Sequence, residues 1–247
     1  MTPRVALVTG GSRGIGRACV RALALTGHRV VVNYREDAQA AHAAVAEVVA
    51  AGTEGVAIAA DVGEAAAAER LFRDAVAVFG RVDVLVCNAG VAPTTPLDMI
   101  SLQDWQRVLD VNTRSVFVLG RLALQDMRPR GWGRIVTIAS QARMTGGFFV
   151  GAHYAASKGA MIALSRSLAK LAARDGVTVN CLALGLLDTD MTRAFDAEAR
   201  ERLVSAIPMG RMGTAEEVGA VVAFLASEAA SYITGAVLPV DGGLLSG

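Results

Sequence analysis

The chain has 247 residues, a formal net charge of +1 and 53% hydrophobic residues. That length suits one large α/β domain, the near-neutral charge leaves no footprint for nucleic acid, and no apolar run reaches the ~18–20 residues of a membrane span. Three scattered cysteines (Cys19, Cys87, Cys181) and three scattered histidines (His28, His42, His153) point to neither a disulfide framework nor a metal site.

In chain order, short β-rich apolar runs alternate with longer helical stretches. Strands are predicted at 4–9, 29–34, 56–60, 82–87, 134–139, 177–182 and 236–240, and helices near 14–26, 37–51, 64–79, 101–130, 153–174 and 214–227. Such alternation implies parallel strands joined by crossovers, hence an α/β, doubly wound (Rossmann) sheet of about seven strands with helices on both faces. We read residues 1–247 as a single domain. Residues 186–208 break the rhythm and are expected to form a substrate lid at the carboxyl ends of the strands, a surface excursion being the alternative. The N-terminus carries no signal-peptide pattern, so a cytoplasmic protein is expected.

The first strand runs into Thr9-Gly10-Gly11-Ser12-Arg13-Gly14-Ile15-Gly16 at the start of a helix. Gly10 permits a tight turn, Gly14 lets the backbone approach a pyrophosphate, and Gly16 allows close helix–strand packing. The helix N-terminus adds NH donors and positive potential. The second strand ends at Asn33-Tyr34-Arg35 rather than at the acidic residue that would accept from a ribose 2′-hydroxyl. Arg35 and Arg13 together would bind a 2′-phosphate, which predicts NADPH; both would otherwise be surface arginines. Asp61-Val62 after the third strand offers a carboxylate to an adenine amino group or caps a helix. Asn88-Ala89-Gly90 after the fourth is a small-residue turn where a cofactor could lie, its asparagine alternatively a hydrogen-bonding post.

Ser140 ends the fifth strand, and Tyr154 and Lys158 follow with i, i+4 spacing on one helical face. Tyrosine near pKa ~10 is a poor proton shuttle at neutral pH. A fixed ammonium and a positively charged nicotinamide would lower it, and Ser140 would hold a carbonyl oxygen as charge builds there. Only two of 24 basic residues are lysines, Lys158 and Lys170, which marks Lys158 further.

Over its whole length the chain resembles the short-chain dehydrogenase/reductases. The resemblance rests on Thr9-Gly10 with Gly14 and Gly16, Asp61-Val62, Asn88-Ala89-Gly90, Asn112, Ser140, Tyr154, Lys158 and Val240-Asp241-Gly242-Gly243. It implies that Asn112 holds a water in a proton relay behind Lys158 and that Lys158 bonds the nicotinamide ribose. It also implies that Gly185-Leu186-Leu187-Asp188-Thr189 borders the cofactor, with Thr189 on the nicotinamide carboxamide. Segments YAASKGAM, PMGRMGTAEEVGAVVAFLASEAASYITG and VDGG are most similar to the 3-oxoacyl-[acyl-carrier-protein] reductases. That implies a carrier-linked or CoA-linked 3-oxoacyl substrate, acyl carrier protein as a partner near Arg128, Arg130 and Arg174, and a homotetramer packed through helices 101–130 and 153–174. Two departures stand out: Leu184 where the family commonly has proline, and a longer 140–154 loop carrying Arg143, Met144, Phe148, Phe149 and His153. The longer loop leaves a bulky or aromatic ketone open as substrate, and a silent NADPH-binding regulator is the alternative of another class.

Overall fold

The computed structural model describes residues 3–147, 150–189, 192 and 196–245. Seven strands form one parallel sheet in the order β3-β2-β1-β4-β5-β6-β7. They are β1 (Val5–Val8), β2 (Arg29–Tyr34), β3 (Gly55–Ala59), β4 (Val84–Cys87), β5 (Gly133–Ser140), β6 (Val177–Leu184) and β7 (Val237–Val240). All of β1, β4 and β6 is buried, as expected of strands covered on both faces.

Period-two alternation divides the apolar side chains between two layers. Val5 and Leu7 join a core with α3 (Ala65–Phe79), α5 (Ser115–Met127) and α7 (Ala152–Ala172). Ala6 and Val8 face the other way, toward α1 (Gly14–Leu25), α2 (Ala38–Ala50) and α9 (Ala215–Leu225). Helix α9 starts with the predicted capping box: the Glu217 amide donates to Thr214 Oγ1 at 3.2 Å and the Thr214 amide to Glu217 Oε2 at 2.8 Å.

Three differences from the expected elements matter. The single helix expected over 101–130 is two, α4 (Leu102–Leu109) and α5, joined by a π-helical turn over Asp110–Arg114. One extra residue in that turn re-aims Asn112, and side-chain periodicity carries no signal for it. The 140–154 loop contains a short helix, α6 (Ala142–Thr145), while Phe148 and Phe149 lie outside the described residues. The 186–208 segment contains α8 (Ala197–Ser205); its residues 190, 191 and 193–195 lie outside the described residues.

Strand order reverses between β1 and β4. In such sheets the crevice opens at that point, beyond the carboxyl ends of the two strands.

Candidate active site

A cavity of about 850 Å³ occupies that crevice. The loop after β1 forms its floor. Gly10 and Gly14 hold φ of +62° and +53°, conformations that favour glycine. At Gly16 the reason is space, since a Cβ there would stand 2.0 Å from the Gly10 carbonyl oxygen. Asn88 pins the loop: its Nδ2 donates to the carbonyls of Thr9 at 3.0 Å and Gly10 at 3.1 Å. The Asn88 and Ala89 amides in turn donate to Thr9 Oγ1, each at 3.0 Å. Asn88 is therefore the hydrogen-bonding post that was one of its two readings.

Helix α1 begins against this cavity with no side-chain cap and no acidic residue in its first turn. Uncapped NH groups and the positive end of the helix dipole make a ready anion site. Ser12, Arg13, Ile15, Tyr34, Arg35, Asp61, Val62, Ala89, Gly90 and Thr189 also line the cavity. Arg35 is paired with Glu36 at 2.8 Å and Asp37 caps α2 by accepting from the Ala40 amide at 2.9 Å. Among the described residues Arg13 makes no ion pair, which leaves its charge available. The donor set fits a phosphate-bearing dinucleotide: backbone donors at the helix start, a free guanidinium, and a loop close enough for main-chain contact.

Of the expected cofactor residues, Gly185, Leu187, Tyr154 and Lys158 are not among those lining this cavity. Leu187 is buried in the core and its carbonyl accepts from Thr192 Oγ1 at 2.7 Å. Gly185 is tied to the sheet by its amide, which donates to the Val240 carbonyl at 2.9 Å. Leu184, in place of the common proline, continues β6 and is buried beside Leu187.

Tyr154 and Lys158 lie one turn apart on α7, whose first turn stands beside the end of β5. The Lys158 ammonium is buried, donates to the Ile138 carbonyl at 2.7 Å, and sits 5.6 Å from the centroid of the Tyr154 ring. Burial lowers its pKa to about 8. Burial raises that of Tyr154 above its usual 10, opposed by the nearby Ser140 hydroxyl. Ser140 Oγ accepts from the Ala142 amide at 3.1 Å, which fixes it at the strand end.

Asn112 ties two neighbouring segments together through its side-chain amide. Its Oδ1 accepts from the Val91 amide at 2.9 Å, and its Nδ2 donates to the Val91 carbonyl and to Ser157 Oγ, each at 3.0 Å. Ser157 Oγ donates to the Tyr154 carbonyl at 2.7 Å. The amide is a clamp between the loop after β4 and the helix that carries Tyr154. Sequence reasoning missed two further participants. Asn33, polar within an apolar strand, accepts from the Gly10 amide at 3.3 Å and donates to the carbonyls of Tyr34, Ile58 and Ala60. Arg107, on α4, reaches the cavity wall and pairs with Asp61 at 2.7 Å.

The three cysteines are free and buried, with the Cys19 and Cys87 thiols pushed up to about 12 by desolvation. Such thiols are inert as nucleophiles. Among the described residues no group of three or more His, Cys, Asp or Glu is placed to hold a metal ion, and no helix is long and apolar enough to cross a membrane.

A family model described as enoyl-(acyl carrier protein) reductase matches residues 10–245. A double mutant of a Serratia marcescens short-chain dehydrogenase/reductase superposes with a TM-score of 0.91 at 41% identity, covering 98% of this chain and 97% of that one. The chain belongs to the short-chain dehydrogenase/reductases. Like other members it is an oxidoreductase. It is similar to the 3-oxoacyl-[acyl-carrier-protein] reductase of Synechocystis sp., 44% identical over 246 residues, covering 99% of this chain and 98% of the relative. The corresponding Escherichia coli K12 enzyme is 39% identical over 241 residues, at 98% and 97% coverage. A crystal structure of a blue fluorescent protein from a metagenomic library in complex with NADPH is 38% identical, with a TM-score of 0.92 and 98% coverage of both chains.

Proposed function

We propose that this short-chain dehydrogenase/reductase is an NADPH-dependent 3-oxoacyl thioester reductase, converting a 3-oxoacyl group on acyl carrier protein or CoA to its 3-hydroxyacyl form. The observation that carries the chemistry is the Tyr154 hydroxyl beside that of Ser140, with the buried Lys158 ammonium one helical turn further along α7. Relatives named 3-oxoacyl-[acyl-carrier-protein] reductase, matched over nearly their whole length, support the substrate class. The NADPH complex of the 38% identical structure supports the cofactor, as do the unpaired Arg13 and the nearby Arg35.

The cofactor supplies a hydride to the carbonyl carbon. The chain's residues handle the oxygen. Ser140 and Tyr154 both donate to it, so negative charge arriving there meets two hydroxyls. As the carbon gains the hydride, the oxygen takes the Tyr154 proton, leaving a phenolate and a neutral alcohol. The phenolate then regains a proton from solvent. Lys158, with its ammonium held by Ile138, stabilises that phenolate and would hold the nicotinamide ribose of a bound cofactor. Asn112 acts by fixing Val91 and Ser157, and through Ser157 the first turn of the tyrosine helix. Asp61 would accept from the adenine amino group of a bound cofactor, and Thr189 would hold its carboxamide. The segment over 186–208 closes on substrate as a lid.

Exposed Trp105 and Phe117 on α4 and α5, and Leu171 on α7, are the apolar faces a homotetramer would cover. We place the enzyme in the cytoplasm, with acyl carrier protein as its partner.

The proton donor is tested by Tyr154→Phe. Turnover should fall by about 10²–10⁴-fold while NADPH still binds, measured by its fluorescence on titration. Undiminished turnover would remove Tyr154 from the chemistry.

A further inference from the structure

Arg107 has no part in the chemistry above, yet its guanidinium stands on the wall of the cofactor cavity. Its Nη2 donates to Asp61 Oδ2 at 2.7 Å, while the Gly63 amide donates to Asp61 Oδ1 at 2.9 Å. Gly63 leaves room for this guanidinium, since a Cβ there would stand 2.4 Å from Arg107 Nη1 and displace it. Arg114, in the π-turn that follows α4, holds the Gly63 carbonyl and pairs with Asp110 at 2.9 Å. Both carboxylate oxygens of Asp61 are therefore engaged by partners from different elements, and the plane of the group is set.

Charge matters here as much as geometry. Asp61 is one of several acidic side chains lining a cavity suited to a polyanion, and an unneutralised carboxylate would repel the ligand's phosphates. Burial pushes the Asp61 carboxyl up. The Arg107 hydrogen bond, the Gly63 amide and the charges of Arg107 and Arg35 outweigh it, so the group lies below the usual aspartate range and stays ionised.

We propose that Arg107 is the positioning residue for the adenine end of the cofactor: it fixes and neutralises Asp61, leaving one carboxylate lone pair aimed at the adenine amino group. The inference rests on the reading of Asp61 as the adenine acceptor. Because Arg107 acts through Asp61 and not on the reacting carbonyl, its loss is expected in cofactor binding and not in the hydride step.

The test compares NADPH with its hypoxanthine analogue, in which a carbonyl oxygen replaces the 6-amino donor. A hydrogen bond to a charged group corresponds to about tenfold or more in affinity, so the wild-type enzyme should prefer NADPH by about that factor. In Arg107→Met the preference should shrink to about two- to threefold, and the KM for NADPH should rise about tenfold with kcat within about twofold. Arg107→Lys should recover part of both. Arg107→Gln, similar in length but uncharged, should behave like Arg107→Met and serves if that variant does not fold. A wild-type enzyme indifferent to the amino group would overturn the Asp61 reading and this proposal with it. A wild-type preference retained in full by the uncharged variants would leave Asp61 standing and overturn the role of Arg107.

Discussion

Lys158 keeps an ammonium where water does not reach, with the Ile138 carbonyl as its hydrogen-bond acceptor and the Cys87 and Cys181 thiols nearby. Desolvation puts its pKa at about 8 in the folded protein, against 10.5 for an exposed lysine. Between those values the unfolded chain binds the extra proton, so stability rises with pH through that window, and the penalty for burying the charge is complete below about pH 8. The difference is on the order of 3 kcal/mol. Lys158→Met should therefore be more stable than the wild type at pH 7, by about 1–3 kcal/mol after the loss of the Ile138 hydrogen bond. That gain should shrink toward pH 10. Urea unfolding of both proteins across the range measures it, and a pH-independent difference would mean the ammonium is not desolvated as described. Tyr154, Lys158 and Ser140 were legible in the sequence because residue type and spacing declare them. The clamp made by Asn112 was not, since its partners Val91 and Ser157 become neighbours only through the fold.

Among the elements, the junction of β1 and α1 is the most constrained. Gly16 brings the helix down onto the Gly10 carbonyl, with Asn88 Nδ2 bridging to the same oxygen. Gly16→Ala puts a methyl group where a backbone oxygen already stands, so the helix must move away from the loop. We expect a loss of about 1–3 kcal/mol and a weakening of NADPH affinity well beyond what the same stability loss causes elsewhere. Fluorescence titration beside a urea melt tests it; unchanged affinity would mean the helix N-terminus does not hold the phosphates. The glycine loop could be read from the sequence because only glycine serves at its turns. The π-turn at Asp110–Arg114 could not, because a single five-residue turn leaves the apolar pattern of its flanking helices intact.

For the whole molecule, strand–helix alternation was enough to predict the doubly wound sheet, since buried parallel strands must be apolar on both faces and their crossovers must be helices. The point where strand order reverses then fixes where a ligand sits. The 140–154 and 186–208 stretches were less legible, because apolar periodicity gives little guidance there. The central claim is reduction of a 3-oxoacyl thioester with NADPH, and one substrate panel tests it most directly. The purified enzyme is given acetoacetyl-CoA, an enoyl thioester and a bulky aromatic ketone, each with NADPH and NADH, and nicotinamide oxidation is followed by absorbance. Turnover of acetoacetyl-CoA is expected, with NADPH favoured by about tenfold or more, consistent with charge-assisted contacts to the 2′-phosphate. Turnover of the aromatic ketone or the enoyl thioester with none of acetoacetyl-CoA, or a preference for NADH, would contradict it.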